Sequence, residues 1–84
     1  MERVRLDKYL WSVRLYKTRS EAAEACKNGR VLVNGVAAKS SKEVNVGEHI
    51  ELRKGPVHYQ YIVAQPLEHR VGAALVEQYI TNIT

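Results

Sequence analysis

Apolar residues near the start of the chain recur at helical spacing. Leu6, Leu10 and Val13, with Tyr9 close by, form one seam at intervals of three and four residues. This spacing predicts an amphipathic helix whose seam faces the core. At about 100° per residue, two flanks border the seam, and we expect both to reach solvent. One flank contains Arg5, Lys8 and Ser12, and the other contains Asp7, Trp11 and Arg14.

A second helix is predicted to begin at Thr18. The order Thr18-Arg19-Ser20-Glu21 has the form of a capping box, in which the threonine hydroxyl accepts from an amide of the first turn. The helix should end at Asn28-Gly29, because glycine adopts the left-handed conformation that ends helices. Its face of alanines and Cys26 is small, which predicts close packing against the first helix.

Sheet signals follow the two helices. Asn34-Gly35 between apolar residues predicts a type I′ hairpin. Alternation and β-branched content predict strands over residues 30–33, from Val36, over 44–46, 49–52 and 57–64. Leu75, Tyr79, Ile80 and Ile83 are spaced as in a terminal helix over 71–83. The expected fold is therefore α+β: one domain over 1–84, with two packed amino-terminal helices, a mostly antiparallel sheet of four to five strands, and a carboxyl-terminal helix.

Positive charge is concentrated in the first half of the chain. Residues 1–42 carry ten Lys or Arg against four acids, a net +6, whereas residues 43–84 carry three against five, a net −2. Such asymmetry is typical of proteins that bind polyanions. Charge alone is equally compatible with a solvated face, so it does not decide the function.

The junction of the two predicted helices gives the charge a specific role. Lys17 and Arg19 flank the amino terminus of the second helix, where Thr18 and Ser20 supply hydroxyls and free amides favour an anion. Basic residues oppose the helix dipole there unless an anion binds, so we interpret the junction as a phosphate site. Lys39 and Lys42 flank two serines on a loop and form a weaker candidate. Lys27 and Arg30 are explained equally well by RNA contact and by compensation of the helix dipole.

Aromatic and reactive side chains add little to this interpretation. Trp11 lies beside the basic flank and could stack on a base, although packing against the sheet is the favoured reading. Tyr59 and Tyr61 share one strand face and are expected at the core or its rim. The three histidines and Cys26 lack metal-ligand spacing, and the sequence has no nucleotide loop and no paired carboxylates. We therefore expect no catalysis, metal, cofactor or small-molecule substrate.

One cysteine and no apolar span predict a cytoplasmic protein outside the membrane.

Three stretches together resemble a known RNA-binding module. They are Arg5-Leu6-Asp7-Lys8-Tyr9-Leu10, Lys17-Thr18-Arg19-Ser20 and 29–35 with Lys39, Ser41 and Lys42 after it. In order and spacing they resemble the RNA-binding domain named after the fourth protein of the small ribosomal subunit, also called the alpha-L motif. The motif core covers residues 3–52 and leaves 53–84 as an extension. Residues 10–19 most resemble the ribosome-associated heat-shock protein fifteen family, and the short length resembles ribosome-associated quality-control factor P.

The resemblance implies a non-enzymatic factor that binds ribosomal RNA on large subunits carrying stalled peptidyl-tRNA and that touches the tRNA as well. The heat-shock relatives carry a longer basic carboxyl-terminal tail, which is not present in this sequence. A truncation of this chain would account for the difference. Combined with the charge and helix-end arguments, the resemblance predicts a set of RNA-binding residues. They are Arg5, Lys8, Arg14, Lys17, Thr18, Arg19, Ser20, Arg30, Lys39 and Lys42.

Three other functions remain as alternatives at this point. An adaptor for another structured RNA would have the same basic face. A DNA-binding helix-turn-helix protein also joins two short helices by a turn, but the hairpin directly after the helices disfavours it. A fragment of an RNA-modifying enzyme is disfavoured by the methionine start and by the similarity to stand-alone factors.

Overall fold

The computed structural model describes residues 3–84. Two α-helices precede the sheet: α1 spans Leu6–Ser12 and α2 spans Arg19–Lys27. The strands are β1 (Val31–Val33), β2 (Val36–Ala37), β3 (His49–Lys54), β4 (Val57–Val63) and β5 (Ile80–Asn82), and a 3-10 helix, Ala73–Gln78, precedes β5. The predicted α+β fold with its amino-terminal helix pair is confirmed. No helix within residues 3–84 is long and apolar enough to cross a membrane.

Both helices end in the same type of cap. After α1, Arg14 has a φ of +62°, and the Leu15 amide donates to Leu10 O at 3.0 Å. After α2, Gly29 has a φ of +71°, and the Arg30 amide donates to Ala25 O at 2.9 Å. Each is a Schellman ending with a left-handed residue just beyond the helix. Glycine meets this requirement without strain after α2, whereas α1 places an arginine there.

The start of α2 agrees with the sequence prediction. Thr18 is the N-cap, and its Oγ1 accepts from the Glu21 amide at 3.1 Å. Lys27 lies in the last turn, where it compensates the negative end of the helix dipole. The helix buries Ala22, Ala25 and Cys26, as its small apolar face predicted.

The sheet is antiparallel throughout, in the order β2-β1-β3-β4-β5. The β1–β2 hairpin turns at Asn34 and Gly35, whose φ values of +53° and +83° fit the predicted type I′ turn. β3 and β4 pair over six positions, from His49 with Ile62 to Lys54 with Val57. This central pair supports the remaining strands.

The end of the chain differs from the prediction. In place of an α-helix over 71–83, the 3-10 helix leads into β5, which pairs with β4 through Val63 and Ile80, among others. The residues from Ile80 onward, Ile-Thr-Asn-Ile-Thr, are rich in β-branched side chains and favour a strand. Pairing also satisfies an edge of β4 that would otherwise be open.

The predicted strand over 44–46 is also absent: Val44 is buried, and the pairing there is one bridge from Arg5 to Glu43.

The core lies between the helix pair and one face of the sheet. Tyr9, Leu6 and Leu10 of α1 are fully buried, as the seam predicted, and they pack with Ile50 and Leu52 of β3. Tyr59 and Tyr61 are partly buried against the same core, as expected.

Two flank residues of α1 that were expected to reach solvent are buried. Asp7 is 5% exposed and Ser12 is fully buried. Asp7 is buried because it has polar partners, described below. Among residues 3–84, Ser12 Oγ has no hydrogen-bond partner.

Replacing Ser12 by alanine should stabilise the protein. The substitution removes an unsatisfied buried hydroxyl and introduces a better helix former, which together contribute about 1–2 kcal/mol. Urea unfolding should show a higher midpoint with an unchanged slope. A lower midpoint for Ser12→Ala would show that the hydroxyl has a partner and is stabilising.

Candidate nucleic-acid interface

A buried carboxylate joins two arginines from different parts of the chain. Asp7 accepts from Arg5 in a two-pronged contact, Nε to Oδ1 at 3.2 Å and Nη2 to Oδ2 at 3.1 Å. Arg19, at the start of α2, brings its Nη2 to 3.9 Å from Asp7 Oδ1. The arginine side chains remain about half exposed, at 52% and 49%, whereas that of Asp7 is 7% exposed. Two guanidinium groups thus face solvent beside one buried negative charge, an arrangement suited to a phosphate.

The loop Lys39–Lys42 is docked against the same end of α1. The Leu6 amide donates to Lys42 O at 2.7 Å, and the Asp7 amide donates to Ser40 O at 3.2 Å. The amide of the next residue, Lys8, donates to Asp7 Oδ1 at 2.7 Å. The first amides of α1 are therefore capped by the loop and by Asp7. This capping places the loop beside Arg5, although the two are far apart in sequence.

The remaining predicted residues around the helix junction are accessible. Lys17, Thr18 and Ser20 are exposed, and Lys8 is partly buried on α1. The Thr18 oxygen accepts within the cap, but its hydroxyl hydrogen can still be donated to an anion. We refer to Arg5, Lys8, Lys17, Arg19 and Lys39 as the basic face.

Lys42 and Arg14 have partners inside the protein. Lys42 Nζ lies 2.7 Å from Glu48 Oε2 and donates to Glu43 O at 2.9 Å, so its charge is largely neutralised. Arg14 Nε donates to Val71 O at 2.6 Å and fastens the carboxyl-terminal segment to the end of α1. The structure thus gives both predicted residues a structural contact.

Arg30 lies in a different setting from the basic face. It is exposed beside the start of β1 and borders a surface depression with Glu21, Glu24, Arg53 and Lys54. The acids in that depression lower the local positive potential. Lys39, in contrast, borders a groove with Lys27, Ser40 and Ser41, between the end of α2 and the docked loop.

The sequence alone did not place three residues in this region. Asp7 was placed on an exposed flank, although its position in the first turn of a helix was a signal for an anionic role. Lys27 was left open between RNA contact and compensation of the helix dipole, and its proximity to Lys39 arises only from the fold. Arg70 lies with its guanidinium 5.9 Å from the ring of Trp11. No sequence signal connects these two residues.

Trp11 and Cys26 have environments that limit their roles. Trp11 is partly buried but is not among the side chains that pack on the core, so its predicted packing against the sheet is wrong. Burial raises the pKa of the Cys26 thiol to about 11, which leaves little thiolate at neutral pH. Within residues 3–84, no group of three or more His, Cys, Asp or Glu side chains is arranged to hold a metal ion.

Comparison with known proteins places this arrangement in a family. The S4 domain family matches residues 4–50, which contain both helices, the docked loop and the first residues of β3. The chain belongs to the S4 domain family. The predicted RNA-binding module is therefore confirmed, and S4 domain residues supply the whole basic face.

Relatives of this S4 domain protein cover most of its length. A heat shock protein 15 homolog of Haemophilus influenzae is 43% identical over 70 residues, which are 83% of this chain and 53% of the relative. An RQC P-site tRNA stabilizing factor of Streptococcus pneumoniae is 46% identical over 52 residues, 62% of this chain and 59% of that factor. The chain thus spans somewhat more than half of each relative. The trimeric structure of Vibrio cholerae heat shock protein 15 superposes with a TM-score of 0.92 at 41% identity, covering 99% of this chain and 84% of that one.

Removing the charge of Asp7 should destabilise the protein. Asp7→Asn keeps the size of the side chain but weakens its contacts with Arg5 and Arg19, and hydrogen bonds to charged groups contribute about 1.5–3 kcal/mol. Because both arginines are half exposed, we expect a loss of about 1–2 kcal/mol in the free energy of unfolding, measured in urea.

Glu43→Gln is the matched control for this substitution. It removes an ion pair with Arg3 at 3.6 Å between side chains that are 79% and 51% exposed, and such pairs contribute about 0–1 kcal/mol. Equal unfolding midpoints for Asp7→Asn and the wild type would contradict an organising role for Asp7.

Proposed function

We propose that this S4 domain protein is a non-enzymatic factor that binds ribosomal RNA through the basic face. The observation that carries the proposal is the pair of half-exposed arginines held on buried Asp7, with the Lys39–Lys42 loop docked beside them. Arginine guanidinium groups suit phosphate because they donate two parallel hydrogen bonds. A rigid set of such donors recognises the shape of an RNA stem. The bases of a stem are poorly accessible to protein side chains, because the major groove of an RNA helix is deep and narrow.

We further propose that its target is the large ribosomal subunit carrying peptidyl-tRNA. The names of the two relatives, a heat shock protein and a factor that stabilizes P-site tRNA, support a role on stalled ribosomes. All residues of the basic face lie within residues 4–50, the region that matches the S4 domain family. The first relative is 43% identical to this chain over 70 residues. An adaptor for another structured RNA would use the same face and is the alternative outcome of the experiment below.

The test is binding to purified large subunits, with and without peptidyl-tRNA, measured by co-sedimentation. We expect tighter binding when peptidyl-tRNA is present. Arg19→Ala should weaken binding about tenfold, the value of one charge-assisted contact, with little change in stability because its ion pair with Asp7 is long. Five or six phosphate contacts predict a log–log salt slope of about −4.5 to −5.5.

Arg53→Ala is the matched control, because Arg53 is 47% exposed and pairs with Glu51, outside the basic face. Arg53→Ala should reduce the affinity for large subunits far less than Arg19→Ala does. Equal losses for the two variants, or a salt slope near zero, would contradict binding through this face. Binding to free structured RNA but not to large subunits would favour the adaptor.

A further inference from the structure

The end of α1 carries an aromatic and cationic pair outside the basic face. The guanidinium carbon of Arg70 lies 5.9 Å from the ring centroid of Trp11, within the range of a cation–π contact. Trp11 is partly buried and Arg70 is exposed. Arg70 belongs to the extension beyond residues 4–50 that match the S4 domain, so membership of the family assigns it no role.

The position of Arg70 is fixed by its neighbours. Leu67, three residues before it, is buried in the core, and Val71 is partly buried against the core. Arg14 Nε donates to Val71 O at 2.6 Å, and the Val71 amide lies 3.5 Å from Ser12 O. The segment is therefore held to the end of α1 on both sides of its backbone. Arg14, the left-handed residue just beyond α1, therefore also anchors this segment.

The charge of Arg70 is not neutralised by the rest of the described chain. Arg70 takes part in none of the ion pairs found within residues 3–84. The other two basic residues of the carboxyl-terminal half are engaged: Arg53 pairs with Glu51, and Lys54 donates to Leu15 O. Arg70 is thus the cation of this half that remains available to an anionic ligand.

The pair is also adjacent to the basic face. Trp11 follows Asp7 by four residues, one turn along the same side of α1, a rise of about 6 Å. Lys8, three residues before Trp11, neighbours it on the helix surface and belongs to the basic face. An RNA whose phosphates contact Arg5 and Arg19 would therefore bring its next nucleotides to Trp11 and Arg70.

We propose that Trp11 and Arg70 form a stacking site for an unpaired RNA base next to the phosphate-binding face. Guanidinium planes and aromatic rings both stack on splayed-out bases, and paired bases in a stem are not accessible to them. The site would let the protein distinguish a stem with an unpaired nucleotide from a fully paired one. This inference rests on the proposed function, because it requires RNA on the basic face.

The test compares two RNA duplexes of 16 base pairs, one fully paired and one with two bulged adenosines at its centre. Trp11 is the only tryptophan in the chain, so its fluorescence reports on stacking directly. We expect the wild type to bind the bulged duplex about tenfold more tightly and to show quenching of Trp11 with that duplex alone.

Three variants separate stacking from charge. Arg70→Lys keeps the charge but loses the planar group, so the preference for the bulged duplex should fall toward one while affinity for the paired duplex is retained. Trp11→Leu should remove the preference as well. Arg53→Lys, the control, should keep the preference of the wild type. Circular dichroism confirms that each variant is folded.

The outcomes distinguish the two proposals. Binding of both duplexes with equal affinity by the wild type, or an unchanged preference in Arg70→Lys, would overturn the stacking site and leave the phosphate-binding face intact. Failure to bind either duplex at low salt would overturn both proposals. A preference that disappears in Arg70→Lys and persists in Arg53→Lys supports the stacking site.

Discussion

The arrangement of the two arginines in the basic face depends on one buried carboxylate. Asp7 holds Arg5 by a two-pronged contact and Arg19 by a longer ion pair, and it also caps an amide of its own helix. Without Asp7, two guanidinium groups, one just before α1 and one at the start of α2, would repel one another. With it, they are held together at half exposure, and the cluster keeps a net positive charge. The geometry that suits a phosphate is therefore built into the packing of α1 against α2.

The fold separates basic residues that have partners inside the protein from those of the proposed binding face. Lys42 pairs with Glu48, and Arg14 fastens the carboxyl-terminal segment, so each contributes to the architecture. Arg19 and Lys39, in contrast, have side chains that are exposed beside α1. Net charge counts all of these residues equally. In the structure, fewer cations than the net charge implies are left exposed at the start of the two helices, where the docked loop and the helix caps hold the backbone in place.

Local patterns predicted the local structure, and long-range contacts produced the differences. The helix seam, the Thr18 cap and the Asn34-Gly35 turn each depend on residues within a few positions, so the sequence was sufficient for them. β5 forms because β4 offers an edge to pair with, which the helical spacing of its residues did not indicate. The sequence analysis likewise named the cations of the candidate site but not Asp7. Asp7 can be buried only because Arg5 and Arg19 converge on it, and that contact depends on the fold. Arg70 and Trp11 are far apart in the sequence, so no pattern of neighbouring residues could have predicted their contact.

We propose, above all, that the two arginines held by Asp7 bind RNA phosphates. The most direct measurement is an NMR titration with duplex RNA that follows the side-chain Nε–Hε resonances of the arginines. The account predicts large shifts for Arg5 and Arg19, and small ones for Arg53, which lies outside the basic face. Unchanged Arg5 and Arg19 resonances at saturating RNA, with shifts at Arg53 instead, would contradict it.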